Sequence, residues 1–251
     1  MIHSVYIYHI MSALLKELSH GITHLFYPRL CEGCARPLLG AEQVLCISCS
    51  LELTETGYSS LTDNETGLRF AGRVPYTYAT SYAYFTGDGL LQHLLHGLKY
   101  KNKKETGNYL GRKLGRSLKQ GLDELGPDHL KVPIDLIIPV PLHKTKKAYR
   151  GYNQSMLIAD GISDILNVPA TDDLLLRTRN TESQTNKTRT ERVNNMTDAF
   201  GLKHGVKLTG KHILLCDDVL TTGATIEACA RTLLQDDTIK ISIATIGIAI
   251  S

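Results

Sequence analysis

No apolar run in this sequence reaches the ~18 residues that a membrane-spanning helix needs. That argues against an integral membrane protein. Nor is there an excess of either charge: 28 Lys and Arg stand against 25 Asp and Glu, a formal net charge of +3. A role in binding anions must therefore come from local clustering rather than from the chain as a whole. Internal repeats and low-complexity tracts are lacking too. With 42% hydrophobic residues in 251, wholesale disorder and rod-like assemblies are excluded, and the length fits one large domain or a medium domain with a small appendage. The first ten residues, MIHSVYIYHI, are apolar but carry no Lys or Arg, and no small-residue cleavage site follows. A secretory signal is a poor reading of them. Met11 opens a more ordinary amphipathic stretch and is the expected start, with the cytoplasm the expected compartment.

Spacing then predicts the organisation. Residues 1–30 are an N-terminal segment with a short helix over 12–27, stopped by Pro28. Residues 31–53 form a cysteine module, 54–74 a polar linker with three glycines, and 75–251 the main domain. Within that domain, 76–85 suits strands or a hairpin, and 88–100 a helix with Asp88 as its cap. A second helix is expected over 107–120, and 134–140 is a buried strand. Helical spacing returns at 153–166 and 223–235, with strands at the start of 211–220 and over 239–250. Strands alternating with helices imply an α/β fold with a parallel sheet flanked by helices on both faces.

The cysteines are unevenly placed. Cys31, Cys34, Cys46 and Cys49 read C-x2-C, eleven residues, C-x2-C, whereas Cys216 and Cys229 lie in apolar surroundings. Each C-x2-C turn supplies two thiolates from one tight knuckle, which suits tetrahedral zinc. Gly33 is expected to take the unusual backbone angle. Two disulfides or four packing cysteines are the alternatives, and the paired spacing favours zinc. Four cysteines leave no open coordination position, so the metal would be structural. Cys216 and Cys229 are expected to be packing residues.

Residues 213–225, ILLCDDVLTTGAT, are the most specific stretch. Ligands of open α/β sheets bind at the carboxyl ends of strands, where Asp217 and Asp218 are expected. Thr221, Thr222, Gly223, Ala224 and Thr225 then lead into a helix whose amino-terminus suits a phosphate. The acids suit the vicinal hydroxyls of a ribose, or a nearby magnesium ion. The competing reading is a plain Asp-Asp turn with a threonine cap. Three further segments cluster positive charge: Lys99, Lys101, Lys103 and Lys104; residues 139–154; and residues 177–195, too polar for a core and read as a long loop. His143 is the nearest candidate base, although a lone surface histidine is usually inert.

Residues 213–225 resemble the phosphoribosyl-pyrophosphate motif of type I phosphoribosyltransferases. In that family the two acids hold the ribose hydroxyls and the threonine-glycine turn holds the 5′-phosphate, which implies those roles for Asp217, Asp218 and residues 221–225. The order of motifs is similar to that of the ComF (competence protein F) branch of this superfamily. Here the motifs are the four cysteines, Leu98-Lys99-Tyr100, Pro139-Val140-Pro141, Arg150-Gly151-Tyr152-Asn153-Gln154, and an arginine-rich stretch with Arg177, Thr181, Gln184, Arg189, Arg192 and Asn195. The resemblance covers residues 14–251. It departs from the family where Tyr152 replaces the usual Phe, where Lys187 stands at a commonly apolar place, and where Lys144, Lys146 and Lys147 partly replace arginines. It implies a type I phosphoribosyltransferase-like domain with structural Zn2+, and Mg2+ accompanying the sugar phosphate. Lys99, Arg150, Arg177, Gln184, Arg189 and Arg192 would contact pyrophosphate or DNA. The implied function is DNA uptake in natural transformation, with single-stranded DNA and uptake proteins as partners. The alternative it implies is an active phosphoribosyltransferase moving ribose 5-phosphate to a nitrogen acceptor.

Overall fold

The computed structural model describes residues 28–126, 133–178 and 199–250. The chain divides between Glu52 and Leu53 into two compact units. The expected helix over 12–27 lies outside the described residues. The described part of the small unit is a knuckle followed by a short helix, α1 (Ile47–Glu52). Leu38, Val44 and Leu45 are buried with three of the cysteines, a core that a module of this size cannot enlarge. Glu42 holds its turn, accepting the N–H groups of Leu39 and Ile47, both at 2.8 Å.

The large unit opens with α2 (Glu65–Leu68), capped by Asn64, whose side chain accepts the N–H of Gly67. Then come β1 (Tyr78–Phe85), α3 (Leu90–Tyr100), α4 (Lys104–Leu125) and β2 (Leu136–Pro139). They are followed by α5 (Lys144–Arg150), α6 (Gln154–Leu166), β3 (Leu175–Arg177) and β4 (Phe200–Leu202). The last elements are β5 (His212–Leu220), α7 (Ala224–Leu233) and β6 (Lys240–Ala249). Four strands form a parallel sheet in the order β1-β6-β5-β2, and β3 pairs antiparallel with β4.

Alternate residues of the central strands feed two cores. Ile213 and Leu215 of β5 and Ile241 and Ile243 of β6 pack with Ile226, Cys229 and Leu233 of α7. The other face is covered by α4 and α6, which pack closely on each other. Glycine permits this approach: a Cβ on Gly111 would lie 2.2 Å from the carbonyl oxygen of Ile158, and one on Gly161 2.3 Å from that of Asn108. Cys216 and Cys229 are buried in these layers, as expected of packing residues.

Two expectations are corrected and one is narrowed. Residues 54–74 are not a free linker: Thr56 donates to Tyr82 and Tyr84 donates to Thr54, bridging antiparallel along the outer edge of β1. An open strand edge is a liability, and this segment covers it, while Phe70 is fully buried in the core. Of the strands or hairpin expected over 76–85, a single strand forms over 78–85, with β6 as its parallel partner on the other edge. Asp88 does not cap α3; Gly89 stands there, with no side-chain hydrogen bond.

Candidate functional site

β5 and β2 are neighbours, yet the helices that follow them, α7 and α6, lie on opposite faces. Their carboxyl ends therefore bound a crevice of the kind in which open α/β sheets bind ligands. Asp217 and Asp218 stand there, within the last turn of β5 rather than beyond it, because the pairing with β6 continues through Leu220. Oδ1 of Asp217 accepts the hydroxyl of Ser155 at 2.8 Å and the N–H of Asp218 at 2.9 Å. Burial, and secondarily the Asp218 charge, push the Asp217 carboxyl up to about 7. Asp218 is buried, and its Oδ1 accepts the Val219 N–H at 3.0 Å. Its Oδ2 is buried without a hydrogen bond of good geometry; the ammonium of Lys99, from the last turn of α3, forms an ion pair with it. A carboxylate oxygen held in this way is suited to a hydroxyl or a cation from a ligand.

The turn after β5 exposes Thr221 and Thr222 and brings Gly223 to φ 77°, the left-handed region. A Cβ there would lie 2.9 Å from Cε1 of Phe70, so glycine is required by contact as well as by angle. Gly223 caps α7 with no side-chain bond of its own, and the Ala224 N–H reaches the Thr222 hydroxyl at a long 3.4 Å, so the amino-terminal dipole is suited to an anion. Two arginines that sequence reasoning missed hold this turn from behind. Arg69 donates to the carbonyls of Thr221 (2.8 Å) and Ala249 (3.1 Å); Arg73 donates to that of Thr222 (2.7 Å) and pairs with Glu227. In a planar trans peptide the N–H points opposite the C=O. The clamp therefore aims the N–H groups of Thr222 and Gly223 away from the arginines. It acts on main-chain oxygens and leaves no pattern in the sequence.

Three motifs converge beside this site. Asn153 caps α6 by accepting the Ser155 N–H at 3.1 Å and donates to the carbonyl of Val140 at 3.1 Å. Tyr152 donates its hydroxyl to the carbonyl of Leu98. Gly151 ends α5 at φ 76°, and Arg150 donates to Gln154 at 2.7 Å while its guanidinium lies 5.2 Å from the Tyr100 ring centre. Lys99 and Arg150 are thus brought to neighbouring positions, although Lys99 faces Asp218 rather than solvent. Arg177 lies in β3, 5.6 Å from the Phe200 ring centre. Gln184, Arg189 and Arg192, with Thr181, Lys187 and Asn195, lie outside the described residues. His143 caps α5, its Nδ1 accepting the Thr145 N–H at 3.3 Å. Among the described residues, no helix is long and apolar enough to cross a membrane.

In the small unit the four sulfurs of Cys31, Cys34, Cys46 and Cys49 lie within 4.8 Å of one another and can hold a metal ion. The Cys46 N–H donates to the Cys31 sulfur at 3.3 Å, and Arg36 donates to the sulfurs of Cys34 (3.3 Å) and Cys46 (3.4 Å). That guanidinium pulls the Cys34 thiol down to about 6. The left-handed residue of the knuckle is Ala35, at φ 58°, and not Gly33. Ala35 donates to the Cys31 carbonyl and Cys31 to that of Arg36, both at 2.8 Å.

Residues 153–249 match the phosphoribosyl transferase domain family. The chain is similar to DNA utilization protein YhgH of Shigella flexneri, at 34% identity over 58% of this chain and 62% of that protein. It is similar to competence protein F of Haemophilus influenzae, at 30% identity over 57% of this chain and 61% of that protein. It also resembles competence protein ComFC of Bacillus subtilis, at 36% identity over 40% of this chain and 38% of that protein. The match therefore spans less than two thirds of the length of these relatives.

Proposed function

We propose that this chain, which carries a phosphoribosyl transferase domain, binds phosphoribosyl pyrophosphate or a closely related sugar phosphate and acts with single-stranded DNA in DNA uptake. The observation that carries the sugar-phosphate half is the buried Asp218 oxygen, held by the Lys99 ammonium and by no hydrogen bond of good geometry, on the strand that leads into the amino-terminus of α7. Asp217 and Asp218 take the ribose hydroxyls, and residues 221–225 take the 5′-phosphate. Lys99 leaves Asp218 for the pyrophosphate, where Arg150, Arg177, Gln184, Arg189 and Arg192 join it. Mg2+ suits the same acids by the chemistry of their carboxylate oxygens, once Lys99 has left Asp218, and it would supply neutralising charge to the pyrophosphate. The DNA half is supported by the names of the relatives, DNA utilization and competence proteins, and by the clustered cations.

Zinc fits the small unit. Zn–S bonds of ~2.3 Å in a tetrahedron set sulfurs ~3.8 Å apart, and Cys34 and Cys46 stand at 3.7 Å. The knuckle, residues 31–52, is thus a structural module that presents a surface to uptake proteins, and the phosphoribosyltransferase-like domain begins at Leu53. A cytoplasmic protein is consistent with thiols kept for metal.

A second reading is an active transferase, favoured by Asp217, whose carboxyl is pushed up to about 7 by burial. A nitrogen would attack C1 of the ribose while pyrophosphate departs with the bonding pair, and the acceptor's proton would pass to the departing pyrophosphate or to water. Titration calorimetry of the zinc-loaded protein with phosphoribosyl pyrophosphate and Mg2+, and then with a single-stranded oligonucleotide at two salt concentrations, tests the proposal. Saturable binding of the sugar phosphate is expected. Heat indistinguishable from dilution would remove that half, and pyrophosphate release with a nitrogen acceptor would promote the transferase reading.

A further inference from the structure

Two stretches of the large unit carry cations without a single acid. Residues 89–104 hold Lys99, Lys101, Lys103 and Lys104, and residues 136–159 hold Lys144, Lys146, Lys147 and Arg150. The fold joins them: Tyr152 donates to Leu98, Lys104 lies 5.0 Å from the Tyr152 ring centre, and Arg150 5.2 Å from that of Tyr100. Lys99 and Lys147 are engaged by Asp218 and Asp172. Each stretch carries an exposed tyrosine, Tyr149 at 83% and Tyr100 at 59%; the Tyr100 ring also lies 4.9 Å from that of His96, tilted by 44°, which leaves part of its face to solvent. Helix α5 buries none of its residues, so Tyr149 is not there to pack a core.

A solvated basic face alone needs no aromatic rings. Rings set among cations match a ligand with phosphates and free π-faces, which is the chemistry of an unpaired nucleic acid strand. In a duplex the base faces are already stacked, and only the phosphates would be read. We propose that Tyr100 and Tyr149, set among Lys101, Lys104, Lys144 and Arg150, form a stacking ledge for the bases of single-stranded DNA. This deepens the DNA half of the proposed function and rests on it. The guanidinium over Tyr100 steadies that ring and adds its own planar face to the ledge.

The test is fluorescence anisotropy of the full chain with a labelled oligothymidine of about fifteen nucleotides, across a salt series, against a duplex of equal length. Tyr100→Leu and Tyr149→Leu should each weaken single-strand binding by about 5- to 150-fold, the range of one stacked base. The salt slope should stay unchanged, because no cation is lost. Lys101→Gln with Lys104→Gln should instead flatten that slope by about 1.4, roughly 0.7 for each cation. Tyr149→Phe keeps the ring and should keep the affinity. Wild-type binding with both leucine variants unaffected, or with duplex binding weakened equally, would overturn the ledge alone. No strand binding by the wild type would overturn the DNA half of the proposed function, and the ledge with it.

Discussion

Arg73→Met tests how the phosphate turn is built. The substitution keeps an unbranched apolar stem and removes the donors to Thr222 (2.7 Å) and to the carbonyl of Arg69 (2.8 Å), together with the pair with Glu227. Thr222 is exposed, so water can replace the lost partner of its carbonyl, and the cost falls on order rather than on solvation. A bound phosphate would then have to fix the peptides on either side of Thr222 itself. Fixing a residue costs about 1–2 kcal/mol. Arg69 and the Phe70 contact with Gly223 still restrain the turn, so half of that for two residues is a fair measure, about 1–2 kcal/mol or roughly 5- to 30-fold in affinity. Calorimetry with ribose 5-phosphate and with pyrophosphate separates this from a general loss of structure. Ribose 5-phosphate should weaken by that factor while pyrophosphate binding stays within twofold. Equal weakening of both, or none in either, would refute the clamp.

Three further outcomes are expected. Asp217→Asn with Asp218→Asn should abolish phosphoribosyl-pyrophosphate binding with the fold intact; an unchanged dissociation constant alongside a native circular-dichroism spectrum would count against the ribose role. The Asp217 carboxyl sits at about 7, above its ordinary 3.8, so the folded state holds this proton more tightly than the unfolded chain. Its contribution to stability is therefore complete below about pH 4 and is lost as pH rises through about 7; thermal melts should show Asp217→Asn gaining on the wild type between about pH 4 and about pH 7, and parallel curves would contradict the shift. Chelation of zinc should unfold the small unit and leave the melting of the large one in place, whereas one cooperative loss of all secondary structure would show a shared core.

Elements built from apolar runs were legible in the sequence. β2, β5 and β6 and helices α3, α6 and α7 stand within a few residues of their expected places, because each buries an apolar face that periodicity reports. What was illegible has little apolar surface. Helix α5 is made of Lys, Thr, Ala, Tyr and Arg and buries nothing, so it read only as positive charge. Residues 54–74 bury Ser59, Asn64 and Thr66 through hydrogen bonds and only a few apolar side chains, so they read as a linker. One signal was there to be read: Gly107, Gly111 and Gly115 recur every fourth residue along α4, which marks the face on which α6 lies against its backbone. The acid pair and the glycine turn were legible because a left-handed angle and two adjacent carboxylates restrict the residue types. Asp218's pairing with Lys99 was not, since it depends on where two elements more than a hundred residues apart come to rest.

The segment Arg150–Gln154 explains why three separated motifs occur together. Val140 donates to Cys216 on β5 and accepts Asn153, and Leu98 accepts Tyr152. One short segment thus ties the end of α3 to the end of β2, and β2 to the strand that carries the acids. Lys99 follows Leu98 directly, and Ser155, which donates to Asp217, follows Gln154. Both carboxylates therefore receive their partners through the same few residues: Asp217 through Ser155, and Asp218 through Lys99. A ligand that draws Lys99 off Asp218 must replace a full charge at a buried oxygen. Neutral hydroxyls alone replace it poorly, whereas hydroxyls that arrive with a cation or with a pyrophosphate for the lysine do so well. On the proposed reading, the site would therefore favour ligands that carry both the sugar and the charge.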